Sequence, residues 1–241
     1  MPASWGERHP FLLFGPGHLG ALALTALMAL GLVRFVRRGP ERGAATAVRL
    51  GLAALLLGAT AATLAAWARH GTLEWMDVLP LHLCDMLILV AVYALVTRHA
   101  LACELLYFWA GAGALLAMLG PDVNAGFPDP GFLSFFALHG LVVASAAVLV
   151  FGFGRRPRPR APWRVFLLTN AYAGAVALID LALDANFLFL RGKPAAPTLL
   201  DWLGPWPVYL LAAEALAAVL FVALDLPFRA GRRLAPAARA G

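Results

Sequence analysis

The chain of 241 residues is 62% hydrophobic and only 13% charged, whereas an average soluble domain is about half apolar and a quarter charged. This composition excludes an ordinary soluble domain and a disordered chain, and two cysteines are too few for a disulfide scaffold. The formal net charge of +6 would suggest nucleic-acid binding in a soluble protein, but in a membrane protein a basic excess records which loops face the cytoplasm.

Seven apolar stretches are long enough to cross a bilayer as helices, which takes ~20 consecutive apolar residues. In chain order they run over Pro16–Val36, Val48–Ala68, Val78–Val96, Leu101–Leu119, Phe132–Phe153, Val165–Leu183 and Trp206–Leu226. A helix pairs its own backbone groups in lipid. We therefore predict an all-α polytopic membrane protein in which residues 1–241 form a single seven-helix transmembrane domain.

The cations are divided unevenly between the predicted loops. Fifteen lie in the loops after the first, third and fifth spans and in the C-terminal tail; the four on the opposite side are Arg8, Arg69, Arg191 and Lys193. Because the basic excess marks the cytoplasmic side, we expect the N-terminus outside, the C-terminus inside and a place in the plasma membrane, which in a bacterium is the cytoplasmic membrane. The basic segment Gly154–Pro162 is then a cytoplasmic linker near anionic lipid, and no nucleic-acid partner is expected.

Most polar side chains of the predicted spans lie at one depth, in the outer half of the bilayer. Such residues are rare, costly and usually face the interior of the helix bundle. This polar layer therefore contains the candidate functional site. Its members are His18 of the first span, His82, Cys84 and Asp85 of the third, His139 of the fifth, and Asp180, Asp184 and Asn186 at the outer end of the sixth.

A thiol and an imidazole at one depth are the components of a Cys/His nucleophilic site. Cys84 is the candidate nucleophile and His139 its candidate general base, since the members of such a site meet in space and not in sequence. Pro80 suits the first helical position and would place Cys84 early in a helix, where the helix dipole favours a thiolate. His82 would point ~200° away from Cys84 around the helix and instead shares a face with Asp85.

Other polar residues are candidates for supporting roles. Asp180 or Asp184 could orient the catalytic imidazole, and Asn124, Asn186 or backbone amides at the start of the third span could donate hydrogen bonds to an oxyanion. Two histidines and two aspartates could instead bind a metal, but the sequence has none of the usual metal-binding spacings. We predict neither a metal nor another cofactor.

Each candidate also has a purely structural interpretation. A single cysteine in a membrane span is most often a small packing residue, and a histidine can simply bond a neighbouring helix. His82 and Asp85 could likewise form a structural pair between helices. Cys103 is expected at the opposite membrane face from Cys84, which excludes a disulfide between them, and Glu214 lies in mid-membrane with no evident role.

Four segments of the chain together form a recognisable pattern. They are LPLHLCD (Leu79–Asp85), ELLYFWAGAGALLAMLGPD (Glu104–Asp122), FFALHGLVV (Phe135–Val143) and NFLFLRGKPAAPTLLDWLGPWPVYLL (Asn186–Leu211). This pattern resembles the YwaF-like family of integral membrane proteins, which is more distantly similar to the family of the animal lipid acyltransferase transmembrane protein 164. The resemblance implies that an acyl chain moves between phospholipids and lysophospholipids through a thioester on Cys84, with His139 as general base.

Two other functions could use the same polar layer. A binding or transport protein for lipids or small molecules could use it to shape an outer cavity, since buried carboxylates serve proton-linked transport, although inverted repeats are not evident in the sequence. A lipid hydrolase would use the same residues with water as the acyl acceptor. The sequence does not distinguish these two alternatives from acyl transfer, and it gives no oligomeric state.

Overall fold

The computed structural model describes residues 10–39, 41–123, 125–194 and 199–237. Over these ranges the regular elements are helical, and six helices are long and apolar enough to cross a membrane, while α3 is a shorter apolar helix of 15 residues. This confirms the prediction of an all-α polytopic membrane protein. The helices are α1 (Pro16–Arg37), α2 (Arg42–His70), α3 (Leu83–Thr97), α4 (Ala100–Leu119), α5 (Pro130–Gly152), α6 (Ala161–Leu183) and α7 (Val208–Ala237).

The observed helices extend beyond several of the predicted spans. The second begins at Arg42 and not at Val48, and the seventh continues past Leu226 to Ala237. The physical reason is that the arginines bordering an apolar stretch are themselves good helix formers. The orientation with the N-terminus outside and the C-terminus inside stays a prediction.

The chain divides into two compact units, residues 1–155 and 156–241, and each is described by itself. The division falls within the basic segment Gly154–Pro162. The first unit contains α1 to α5 and the second contains α6 and α7. The single seven-helix domain over residues 1–241 stays a prediction.

Helix α5 is the central element of the first unit and packs against α1, α2, α3 and α4. More than half of the apolar window of α4 and of α5 is buried, against 17% for α1 and α2, so the latter two offer most of their surface to lipid. Phe132 and Phe136 of α5 pack with Met118 of α4 in the core of this unit. His139 thus lies on one of the two most buried helices of this unit, and α3, which carries Cys84, packs against both of them.

Two arginines of the first unit bond the carboxyl ends of neighbouring helices. Arg49 of α2 is buried and donates to the carbonyl oxygens of Leu95 and Val96 in the last turn of α3. Arg37 of α1 donates through Nε to the Phe151 carbonyl oxygen near the end of α5, at 2.9 Å. Both satisfy carbonyl groups that have no partner within their own helix.

In the second unit a polar pair joins α6 to α7. Asn170 donates through Nδ2 to Oε2 of Glu214 at 2.9 Å, which gives the mid-membrane glutamate a structural partner. The loop between these helices is bonded to the first turn of α7, where Tyr209 donates to the Phe189 carbonyl oxygen. Trp206, just before α7, donates to the Leu190 carbonyl oxygen at 3.0 Å.

Gly140 allows α1 and α5 to approach closely, and its replacement tests that contact. A Cβ atom at this position would lie 2.7 Å from Oγ1 of Thr25, whose branched side chain has little freedom to move. Gly140→Ala should lower the free energy of unfolding by about 1–3 kcal/mol, and Thr25→Ala in the same chain should restore most of it. Thermal unfolding of the full chain in detergent measures both effects.

Gly20→Ala is the matched control for Gly140→Ala, because a Cβ atom there meets nothing within 4 Å. Alanine is the better helix former, so this variant should be as stable as the wild type or slightly more stable. Equal losses of stability at Gly20 and Gly140 would contradict the close contact.

Candidate active site

Cys84 lies in the first turn of α3. The helix begins at Leu83, with His82 as its N-cap residue at φ −67° and ψ 147°, so the prediction that the span starts at Val78 with Pro80 in the first helical position is wrong. Trp75–Val78 forms a separate 3₁₀ turn, and the residue before a proline is disfavoured in a helix. Cys84 is therefore the second residue of α3, closer to the helix amino end than the sequence predicts.

His82 contributes its backbone to this helix start. Its carbonyl oxygen accepts from the amides of Asp85, at 3.1 Å, and Met86, at 3.0 Å. Because His82 has extended backbone angles, the expected pairing of His82 and Asp85 on one helical face does not apply as predicted. Asp85 itself is in the first turn and half-buried.

A small cavity of about 50 Å³ lies between α3, α4 and α5. It brings Cys84 of α3 and His139 of α5 to a common space, although they are far apart in the sequence. Both side chains are half-buried. The rest of the wall is made by Asp85, Leu87, Ile88, Ala114, Leu138 and Val142.

The imidazole of His139 is fixed on one side and unpaired on the other. Nδ1 bonds the Phe135 carbonyl oxygen at 2.8 Å, and the Phe135 ring stacks on the imidazole with 4.1 Å between ring centroids. Since a carbonyl oxygen can only accept, Nδ1 carries the proton. Nε2 is buried and has no hydrogen-bond partner among the described residues, so in the neutral ring it is the atom that can accept a proton.

His18 shows what a structural histidine looks like in the same unit. Its Nδ1 accepts from the Phe14 amide at 2.9 Å, and its Nε2 lies 2.8 Å from the Met118 carbonyl oxygen. The side chain is 1% exposed. Nε2 thus bonds α1 to the end of α4 and Nδ1 bonds the segment just before α1, so neither ring nitrogen is available for proton transfer.

The predicted supporting carboxylates belong to the second unit and bond residues of the loop after α6. Asp180 is fully buried and its Oδ1 accepts from the Phe187 amide at 2.8 Å. Asp184 pairs with Arg191 at 2.8 Å, although its side chain is 92% exposed. The hydrogen bond to Nδ1 of His139 that we expected from a carboxylate is made by the Phe135 carbonyl group.

The structure describes only one of the two asparagines that we predicted as hydrogen-bond donors. Asn186 uses its whole side-chain amide within the loop, donating to the Gly192 carbonyl oxygen and accepting from the Arg191 amide, both at 2.9 Å. Asn124 lies outside the described residues. The oxyanion role of either asparagine stays a prediction.

The start of α3 supplies backbone donors beside the thiol. The first amides of a helix have no partner within it, and those of Leu83 and Cys84 have none among the described residues. The same end of the helix carries a partial positive charge. These amides come a few residues after those near Pro80 that the sequence suggests as oxyanion donors, and they could stabilise negative charge on an atom bonded next to the Cys84 sulfur. The oxyanion role of the backbone amides stays a prediction.

Sequence reasoning missed two parts of this site. The Phe135 carbonyl group that orients His139 belongs to the backbone, so residue type gives no signal for it except its position four residues before the histidine. The apolar wall is built from residues that resemble any lipid-facing leucine or valine. Within the described ranges, no three His, Cys, Asp or Glu side chains group closely enough to hold a metal ion.

The apolar helices and the cavity beside Cys84 and His139 define a multi-pass membrane protein with a candidate site inside its helix bundle. The sequence model of the TMEM164 family matches residues 13–225. The chain therefore belongs to the TMEM164 family, which confirms the resemblance predicted from its motifs.

One curated relative is an uncharacterized protein of Treponema pallidum (strain Nichols). It is 28% identical over 156 residues, which are 65% of this chain and 64% of the relative. The matched region therefore spans less than two thirds of that protein. No solved structure matches the chain.

The loop after α6 should depend on Asp180 and not on Asp184. Asp180→Ala removes the buried acceptor of the Phe187 amide, so hydrogen exchange at Phe187 should accelerate about tenfold or more. Exchange mass spectrometry of the full chain in detergent measures this rate.

Asp180→Asn keeps an acceptor oxygen and should stay close to the wild type. Asp184→Ala removes only an exposed ion pair, which contributes little to stability, and should change the rate less than Asp180→Ala. Equal acceleration in the two alanine variants would contradict the anchoring role of Asp180.

Proposed function

We propose that this protein is a phospholipid acyltransferase embedded in the cytoplasmic membrane, with Cys84 as acyl-accepting nucleophile and His139 as general base. The observation that supports this proposal best is that Cys84 and His139, whose Nε2 has no partner among the described residues, line one cavity. Its substrates are membrane phospholipids and lysophospholipids. Membership of the TMEM164 family is consistent with an activity inside the membrane, where the phospholipid substrates lie.

The first half-reaction transfers the acyl group to the enzyme. Nε2 of His139 takes the proton of the Cys84 thiol, and the sulfur attacks the carbonyl carbon of a phospholipid ester. The C–S bond forms first and gives a tetrahedral intermediate, and the ester C–O bond breaks when that intermediate collapses. The imidazolium returns the proton to the departing oxygen, so a lysophospholipid leaves and Cys84 holds a thioester.

The second half-reaction runs the same steps with another lysophospholipid. Its hydroxyl group gives a proton to Nε2 of His139, and its oxygen attacks the thioester carbonyl carbon. The C–S bond breaks and the sulfur of Cys84 takes back the proton. One ester is exchanged for another, with no oxidant, reductant or cofactor required.

The helix start and the acidic side chain in the wall have complementary electrostatic roles in this scheme. The tetrahedral intermediate of each half-reaction carries negative charge on the former carbonyl oxygen. The amides of Leu83 and Cys84 and the positive end of α3 would stabilise that charge. The carboxylate of Asp85, in the wall of the same cavity, would stabilise the transient His139 imidazolium.

The size and lining of the cavity favour transfer over hydrolysis. A cavity of about 50 Å³ would hold a few water molecules when no acyl group is present, since about 10–15 Å³ is enough for one. Most of the wall is apolar, so an acyl group on Cys84 would leave little room for water near the thioester. Exclusion of water is what protects such an intermediate from hydrolysis.

Loss of either member of the pair should abolish transfer. The assay uses purified full-length protein in liposomes that contain phosphatidylcholine with isotope-labelled acyl chains and unlabelled lysophosphatidylethanolamine. The wild type should form labelled phosphatidylethanolamine. Cys84→Ser should lose the acyl-enzyme mass on the Cys84 peptide, and His139→Ala should lower the rate by about 10²–10⁴-fold. Mass spectrometry of lipids and peptides measures both.

Cys103→Ser is the matched control for Cys84→Ser, since Cys103 is buried in α4 and does not line the cavity. It should retain transfer. Thermal unfolding of all variants separates loss of chemistry from loss of folding. Unchanged lipid turnover in folded Cys84→Ser and His139→Ala would overturn the proposal, and labelled free fatty acid as the main product would identify a hydrolase.

A further inference from the structure

We propose that the apolar part of the cavity wall receives the first methylene groups of the acyl chain, and that Ala114 determines which chains fit. This apolar part consists of Leu87 and Ile88 of α3, Leu138 and Val142 of α5 and Ala114 of α4. This inference rests on the proposed acyl transfer, because it assigns the place of the chain that the thioester carries.

The order of residues along two helices places three of these apolar side chains beyond the thiol and the imidazole. On α3, Leu87 and Ile88 follow Cys84 by one helical turn, and on α5, Val142 follows His139 by about one turn. In the predicted orientation both helices run inward from the outer surface. Leu87, Ile88 and Val142 therefore lie deeper than the thiol, on the side towards which the acyl chains of an outer-leaflet phospholipid point.

Ala114 stands at the end of an irregular stretch of α4. Residues Ala110–Ala114 form a π-helical segment with the sequence AGAGA, and such segments occur frequently at functional sites. The segment packs beside the start of α3, because a Cβ atom at Gly113 would lie 3.7 Å from Cδ2 of Leu83. Ala114 is 1% exposed and has the smallest side chain in the cavity wall.

The small volume of the cavity makes a single small residue decisive. About 50 Å³ is a few times the about 10–15 Å³ that a cavity needs to hold one water molecule, which leaves room for a carbonyl group and the first methylene groups of its chain. The two methyl groups added by Ala114→Val would occupy much of this space.

Thiol reagents of different chain length test this assignment independently of acyl transfer. Methyl and dodecyl methanethiosulfonate both react when the Cys84 sulfur attacks the reagent's sulfenyl sulfur, forming a mixed disulfide and releasing methanesulfinate. Full-length protein in phosphatidylcholine vesicles is treated with each reagent, and the modified Cys84 peptide is quantified by mass spectrometry. The ratio of the dodecyl rate to the methyl rate reports the space for a chain beside the thiol.

Ala114→Val should lower this ratio about tenfold, since overpacking by extra methyl groups opposes entry of the longer reagent. Ala110→Val is the matched control. Ala110 is equally buried in the same π-helical segment but does not line the cavity, and its variant should keep the wild-type ratio. Val142→Ala, which enlarges the space, should raise the ratio and tests the same wall if Ala114→Val does not fold.

An unchanged ratio in folded Ala114→Val, or in Val142→Ala if the former does not fold, would overturn the inference, as would an equal decrease in Ala110→Val. The proposed acyl transfer is judged separately, by the liposome assay. If the wild type transfers acyl chains and the ratios do not change, the chain lies elsewhere. If the ratios change and no transfer occurs, the wall accepts a chain but the proposed reaction is wrong.

Discussion

The site depends on the requirement that backbone polar groups be paired inside a bilayer. Helix α3 has 15 residues, so it spans only about 22 Å of a hydrocarbon layer about 30 Å thick. In the predicted orientation its amino end then lies below the outer surface of the membrane, among the other helices of its unit. Unpaired amides at that depth are costly beside lipid, but they are useful beside an atom that develops negative charge. A full-length helix would place these amides in the headgroup region, away from His139.

The contrast between His18 and His139 shows which property separates a structural histidine from a chemical one. Both belong to the same unit, and both contact the aromatic rings of neighbouring phenylalanines. His18 has partners at both ring nitrogens, whereas His139 has one at Nδ1 only and a buried Nε2 without a partner among the described residues. The packing around each imidazole decides whether a ring nitrogen lacks a partner. In His139 this nitrogen is Nε2, across the ring from the Nδ1 that contacts the carbonyl group, which is the arrangement that a general base requires.

Apolar length and charge placement are local properties, and from them the sequence predicts the helical class, the number of apolar helices and their approximate bounds. The same local reasoning placed Cys84 early in a helix. It failed at Pro80, because the 3₁₀ turn Trp75–Val78 and the non-helical residues 79–82 precede the helix, which begins only at Leu83. Whether Cys84 and His139 share a cavity depends on the packing of three helices, which no local pattern contains. The bond by which Asp180 of α6 holds the loop that follows is likewise visible only in the fold.

The arginines that close helix ends link two processes that are usually considered separately. Arg37 and Arg49 belong to the basic set that predicts the cytoplasmic side, and each also bonds the end of a neighbouring helix. The direction of membrane insertion depends on the charge of such a residue, whereas the folded structure depends on the geometry of its guanidinium group. A lysine in place of Arg49 would leave the charge count unchanged but could not reproduce the planar fork that donates to Leu95 and Val96. A chain with that change would therefore enter the membrane in the same direction, but α2 would pack less firmly against α3.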